Sequence, residues 1–342
     1  MYHVGIDFEQ IRRRYQTLDY LVVAQLFLQD NFLLERPLDP KDIKPRLLGH
    51  WGTCHGINVV YSNLRAILDN DFTFVLGPGH GFPALQANLY LDGRLAEVDE
   101  RATHDLDGLA YICRNFSWPG GFPSHASPMT PDVICEGGEL GYALGTAYGA
   151  ALGHPEKTVA VLIGDGEFET ATALASMNLV KLFGEPETGK SPNGRVLPFL
   201  HLNGYKISAP TIAARKSTRE LSELIRGFGF TPIFIDGDDP EIFQNALAPA
   251  LAPVEDNSTA IYKHEFRPDS HIRNPFFIFK SEKGATGPTM VRGQKIAGNF
   301  LAHQIPIKNP KTDLEELKLL ERWLKSYHFD EVFDAEKGFI TK

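Results

Sequence analysis

One stretch, TVAVLIGDGEFET from Thr158 to Thr170, constrains this chain more than any other. Val159 to Ile163 is a short, β-branched apolar run ending on a glycine turn, the pattern of a buried strand. Gly164, Asp165 and Gly166 follow, and Glu167 to Asn178 carries the signs of a helix start. A strand feeding a helix through an acidic glycine turn aims one carboxylate and several backbone N–H groups at one point. In open α/β sheets that point is the crevice where ligands bind. A second strand, Val196 to Leu202, brings Asn203 to the same edge. An aspartate and an amide oxygen beside a helix N-terminus suit Mg²⁺ carrying a diphosphate, because Mg²⁺ prefers oxygen ligands and phosphate.

The rest of the chain repeats the alternation. Helices are expected at Thr17 to Asn31, Ile57 to Leu68, Pro83 to Leu91, Glu136 to Ala151 and Pro240 to Leu251, with another ending at Arg226. Strands are expected at Asp71 to Leu76, Pro232 to Ile235 and Pro275 to Lys280. This predicts an α/β fold, a doubly wound, mostly parallel sheet flanked by helices. One domain over 1–342 is expected, with 1–16 as an N-terminal extension and 312–342 as a closing helix and tail. That helix, Asp313 to Tyr327, is read as starting from a capping box of Thr312 and Glu315.

Composition excludes several classes of function. The 342 residues carry a formal net charge of −9, which argues against a nucleic-acid partner, since such binding needs an excess of Lys and Arg on one face. The only tight basic run, Arg12 to Arg14, reads as a solvated helix face. Cys54, Cys113 and Cys135 lack metal or disulfide spacing and read as free thiols in a reducing compartment. The N-terminus has no apolar signal core, and Leu18 to Leu28 is too short and too interrupted to span a bilayer. A cytoplasmic protein without a membrane partner is expected.

Four histidines, His50, His80, His125 and His303, each sit in a loop among glycine, serine or proline. Imidazoles donate hydrogen bonds to hydroxyls and oxyanions and move protons near neutral pH. A sugar phosphate is the kind of substrate that needs such a cluster. Zinc is disfavoured, because no paired-histidine spacing is present. A dinucleotide site is disfavoured too, since no G-x-G-x-x-G follows the first strand.

The motifs IKPRLLGHWGT, GPGHG, PGG-PSH, EGGELGYAL, GDGEFET, LHLNGYKI, KG-TGP and AHQIP occur in that order between Ile43 and Pro306. In them the chain resembles the amino-terminal, diphosphate-binding part of the phosphoketolases, thiamine-dependent relatives of transketolase. The resemblance implies thiamine diphosphate and Mg²⁺ as cofactors, with the metal held by Asp165, Asn203 and the carbonyl of Tyr205. It implies that Gly138, Glu139, Leu140, Gly164, Gly166, Glu167, Lys283 and His303 line the cofactor. His50, His80, His125 and His303 would surround the reacting carbons of a ketose phosphate, which is cleaved to a two-carbon acetyl unit and an aldose phosphate.

Members of that family are about twice as long, and their second domain grips the aminopyrimidine ring with a glutamate. The expectation is therefore a split enzyme, in which a separate chain carries the pyrimidine-binding domain, in a hetero-oligomer with two of each chain. Part of the contact surface is expected on Leu140 to Leu152. Departures from the family pattern are Cys54-His55 in place of Thr-Pro, Phe82 in place of a glycine, Ala285 in place of a tryptophan, and Leu301-Ala302 in place of arginine and serine. Phe82 beside His80 is expected to narrow the mouth of the site, and the lost arginine to remove a phosphate contact. The alternatives are a two-chain transketolase-like ketol transferase and a non-catalytic regulatory remnant.

Overall fold

The computed structural model describes residues 6–183, 192–251 and 274–340. Five strands, β1 (Thr73–Leu76), β2 (Thr158–Gly164), β3 (Arg195–Leu202), β4 (Thr231–Asp236) and β5 (Pro275–Lys280), form one sheet in the order β1-β2-β3-β5-β4. Every neighbouring pair in it is parallel. Ten helices accompany it among the described residues. They are α1 (Phe8–Phe27), α2 (Cys54–Leu68), α3 (Phe82–Leu91), α4 (Leu106–Asn115), α5 (Ala143–Ala151), α6 (Asp165–Phe168), α7 (Ala171–Ser176), α8 (Thr218–Phe228), α9 (Pro240–Leu251) and α10 (Leu314–Lys325).

The strands β2, β3 and β5 are largely apolar because both of their faces are covered, whereas the edge strand β4 is half-buried. Their period of two sorts the side chains into two cores. Ala160, Leu162, Leu197, Phe199, Phe277 and Phe279 join the core built with α1, α2, α3, α4, α9 and α10. Val159, Val161, Ile163, Leu200, Phe276 and Ile278 join the core built with α5 and α8. Phe199 stacks on Phe277 with ring centroids 4.5 Å apart, and each such buried ring is worth about 1.5–3 kcal/mol of transfer free energy.

Several expected boundaries change. The first helix begins at Phe8, capped by the Asp7 carboxylate accepting from the amides of Glu9 and Gln10. Most of the expected 1–16 extension is therefore helix, and its residues 1–5 lie outside the described residues, as do 341–342 of the closing tail. The helix expected from Glu167 to Asn178 is broken into α6, α7 and a 3-10 turn at Met177–Lys181, because the Thr170 hydroxyl caps a fresh start by accepting from the Ala173 amide. The EGGELG segment is a turn, and the helix after it starts only at Ala143. α10 is capped by Asp313, which accepts from the amides of Glu315 and Glu316, and the Thr312 capping box does not form. Phe82 is fully buried in the core at the start of α3, so it does not narrow the mouth of a site. Arg12 and Arg13 pair with Glu9 and Glu331 on a solvated helix face, whereas Arg14 departs from that expectation and turns inward to pair with the buried side chain of Asp92. No helix among the described residues is long and apolar enough to cross a membrane.

Candidate active site

The parallel pairing of β2 with β3 sets Gly164 opposite His201, so the next residues out, Asp165 and Asn203, leave the sheet at the same edge. Asp165 is buried. Its Oδ2 accepts from the Gly204 amide at 2.6 Å and from the Thr211 hydroxyl at 3.3 Å, and its Oδ1 from the Gly166 amide at 3.0 Å. Burial pushes its carboxyl up to about 6, against the opposing pull of those donors and of Lys283. Asn203 Oδ1 accepts from the Tyr205 amide. The Tyr205 carbonyl accepts from Lys283 Nζ at 2.6 Å, so this edge already draws a buried cation. Desolvation lowers that ammonium to about 8 while Asp165 holds it up.

Four loops bring the four histidines together. His50 has its ring centroid 4.9 Å from His80, 5.6 Å from His125 and 5.2 Å from His303, and His80 lies 4.8 Å from His303. Glycines make the approach possible. A Cβ on Gly79 would stand 2.2 Å from Gly137 Cα, and one on Gly52 would stand 2.6 Å from the Ala302 carbonyl oxygen. The loop of His80 is also tied to that of His125 by the Ala126 amide donating to the Gly79 carbonyl. His125 Nδ1 lies 2.9 Å from the Ser124 hydroxyl.

Three of these imidazoles, His50, His80 and His303, are neutral. Desolvation, with neighbouring His125 and Lys283, lowers His50 to about 4, and desolvation with Lys283 and His50 lowers His303 to about 3. His80 is pushed well below its ordinary value, first by burial and then by the surrounding imidazoles. The buried Nδ1 atoms of His50 and His303 have no hydrogen-bond partner among the described residues. A buried unpaired ring nitrogen is costly, and hydroxyls or oxyanions of a bound molecule would satisfy both.

The remaining expected residues fall around this edge. Glu167 is buried, with its oxygens accepting from the Gly141 and Gly164 amides at 3.1 and 3.2 Å, and burial pushes it up to about 7. It fixes the EGGELG turn against the end of β2. Gly138 in that turn donates its amide to Glu136, and Glu139 and Leu140 are exposed. A hollow of about 290 Å³, lined by Leu202, Asn203, Gly204, Lys216, Lys280 and Ser281 among others, opens beside Asn203. His201 went unread in the sequence. It is buried beneath the site between the Thr53 hydroxyl (3.0 Å) and the Ser281 hydroxyl (2.7 Å). Its place two residues before Asn203 on a strand was the available signal.

The donor set fits a Mg²⁺-bound diphosphate. A carboxylate, an amide oxygen and a carbonyl lie near a lysine whose charge also acts on His50 and His303, each with an unpaired ring nitrogen.

Comparison with known proteins identifies the chain's relatives. Residues 5–342 match the family model described as the XFP N-terminal domain. A probable phosphoketolase of Bradyrhizobium diazoefficiens is 44% identical over 342 residues, covering 98% of this chain and 42% of that protein. One from Streptomyces coelicolor is 45% identical over 325 residues, covering 94% of this chain and 40% of that protein. The chain thus spans about two fifths of the length of these relatives. Among solved structures, the transketolase of Campylobacter jejuni superposes with a TM-score of 0.60 at 15% identity, covering 96% of this chain and 48% of that one. The transketolase of Leishmania mexicana gives 0.57 at 16%, covering 95% and 45%. At these identities the likeness is one of fold, the transketolase-like α/β fold.

Proposed function

The chain belongs to the phosphoketolase family, matching its N-terminal domain, and on that premise we propose that it is the diphosphate- and Mg²⁺-binding part of a thiamine-diphosphate-dependent enzyme. The reaction is cleavage of a ketose phosphate of the xylulose 5-phosphate type to a two-carbon acetyl unit and an aldose phosphate. The observation that carries this is the convergence of His50, His80, His125 and His303 beside Lys283 and the Asp165–Asn203 edge.

Asp165, Asn203 and the Tyr205 carbonyl hold Mg²⁺ in this reading, and Gly164, Gly166, Lys283 and the Gly138–Leu140 turn surround the diphosphate. Thiamine diphosphate, when bound, supplies the stabilised carbanion that opens the carbon–carbon bond. The chain's own residues place the substrate. Neutral imidazoles donate from one ring nitrogen and accept at the other, which matches a row of sugar hydroxyls. Their neutrality also keeps them from competing with the metal for the diphosphate charge. Proton transfer at the reacting carbons falls to the same rings.

The aminopyrimidine end is gripped by a separate chain, in a hetero-oligomer with two copies of each. Tyr142, Leu140 and Ile134, exposed at and before the start of α5, support a contact face there. The buried free thiols support residence in the reducing cytoplasm. Acetyl phosphate formation from xylulose 5-phosphate and inorganic phosphate tests the reading, measured with and without co-purifying chains. Turnover only in their presence supports the two-chain enzyme, and full activity of this polypeptide alone overturns the split. A glycolyl product transferred intact to an aldose acceptor would establish the transketolase-like alternative.

A further inference from the structure

His55, which stands where the family pattern has proline, is buried at the start of α2 without touching the four-histidine cluster. Its Nδ1 lies 2.7 Å from Asp19 Oδ2 on α1, and its Nε2 3.1 Å from Asp238 Oδ2 in the loop after β4. With an acceptor on each side, both ring nitrogens must carry protons. A cation at a helix N-terminus opposes the helix dipole, so the two carboxylates are what hold it there. Other charged or titratable groups near the ring are Tyr15, edge-on at 5.6 Å, His201 of β3, which desolvation keeps neutral, and Arg12, which acts on Asp238. Burial alone would lower His55, but Asp19 and Asp238 outweigh it and raise it to about 10.

Asp19 is the hub. It has no exposed surface, and it accepts from Asn58 Nδ2 at 2.8 Å and from the Thr286 hydroxyl at 3.1 Å. Thr286 has φ +63°, a backbone state that a β-branched residue holds only when its surroundings impose it. Its hydroxyl also meets the Tyr327 hydroxyl just past α10, which accepts from the Trp323 indole. Three residues before Thr286 is Lys283. Between them, the Gly284 amide donates to the Gly52 carbonyl and the Trp51 indole donates to the Gly284 carbonyl. The Lys283 loop and the loop bearing His50 are therefore one unit, anchored at Thr286.

We propose that His55 is a positioning residue: its imidazolium ties Asp19 to Asp238, and Asp19, through Thr286, fixes the loop that presents Lys283 and braces the His50 loop. The reading of Lys283 as a diphosphate-side group is taken from the proposed function, whereas the anchoring itself is independent of any ligand.

The test uses the full chain and its co-purifying partners. Nitrogen-15 imidazole spectra at pH 8 are expected to show both His55 nitrogens protonated. His55→Gln is expected to lower hydrogen-exchange protection of the Gly284 and Gly287 amides by more than about tenfold, while Phe277 and Phe279 in the sheet move less than about twofold. Thr286→Val is expected to loosen the same loop with the His55 signature intact. A neutral His55 at pH 8, an unchanged loop, or equal loss in loop and sheet would each overturn the proposal. Should His55→Gln not fold, the wild-type imidazole spectrum and Thr286→Val still decide. Titration with Mg²⁺ and inorganic pyrophosphate, read at the Lys283 ammonium, separates the two readings. No response there counts against the diphosphate site and leaves the loop result standing.

Discussion

Acidification from pH 6.5 to 4.5 should destabilise this protein with a slope set by the groups at its site. His50, His201 and His303 have folded values lowered to about 4, 3 and 3, and His80 is pushed well below its ordinary value. A histidine lowered on folding contributes stability that is complete above its unfolded value near 6.5. That stability is lost as pH falls toward the folded value, because the unfolded chain takes up the proton first. Glu167 and Asp165 act oppositely. Raised to about 7 and about 6, they bind protons in the folded chain before the unfolded one does, which relieves two buried charges over the same window. Four histidines against two carboxyls leave a difference of two protons, or about 2.7 kcal/mol per pH unit. His55, raised to about 10, is protonated in both states here, so its contribution is intact below 6.5 and fades only as pH rises toward 10. Urea midpoints across the window measure the slope. His303→Asn should flatten it by about one proton and Glu167→Gln should steepen it by about one, that is by about 1.4 kcal/mol per pH unit each. A flat stability curve between pH 6.5 and 4.5, or a slope indifferent to both substitutions, would refute the claim that these imidazoles are buried and neutral.

Other perturbations isolate single links. Asp165→Asn removes the one carboxylate of the proposed metal edge and should abolish Mg²⁺-dependent pyrophosphate binding by calorimetry, leaving the circular dichroism spectrum unchanged. Gly79→Ala places a methyl against the Gly137 backbone; it should spread the His80 and His125 loops and lower turnover of the completed enzyme far more than thermal stability. His50→Asn should reduce acetyl phosphate formation by about 10²-fold or more through lost hydrogen bonding and proton transfer. Phe277→Ala, emptying the stack with Phe199, should cost about 3–5 kcal/mol in urea unfolding with no direct effect on the site.

The strands and the family were legible because each rests on local pattern. Continuous β-branched and aromatic runs named β2, β3 and β5 to within a residue, and the motif strings marked loops that carry chemistry. What the motifs could not show was how the glycines acted. Gly52 and Gly79 read as loop punctuation, yet each lies where two backbones come too close for a Cβ. Phe82 looked like an obstruction because it neighbours His80 in sequence. In space the chain turns into α3 between them, and the ring goes to the core. Glu167 read as a cofactor contact, and its carboxylate is engaged by two backbone amides.

By itself the sequence determined the parallel α/β sheet, the placing of Asp165 and Asn203 at its carboxyl edge, and the family to which the chain belongs. Hydrophobic periodicity, turn chemistry and motif order are short-range properties, and a linear reading recovers them. Only the tertiary structure decided that burial leaves His50, His80 and His303 neutral, that Lys283 binds the Tyr205 carbonyl, and that His55 sits charged between Asp19 and Asp238. Those outcomes depend on burial and on partners far away in the chain. Desolvation and charge pairing set the protonation of a histidine, and neither is written in its neighbours.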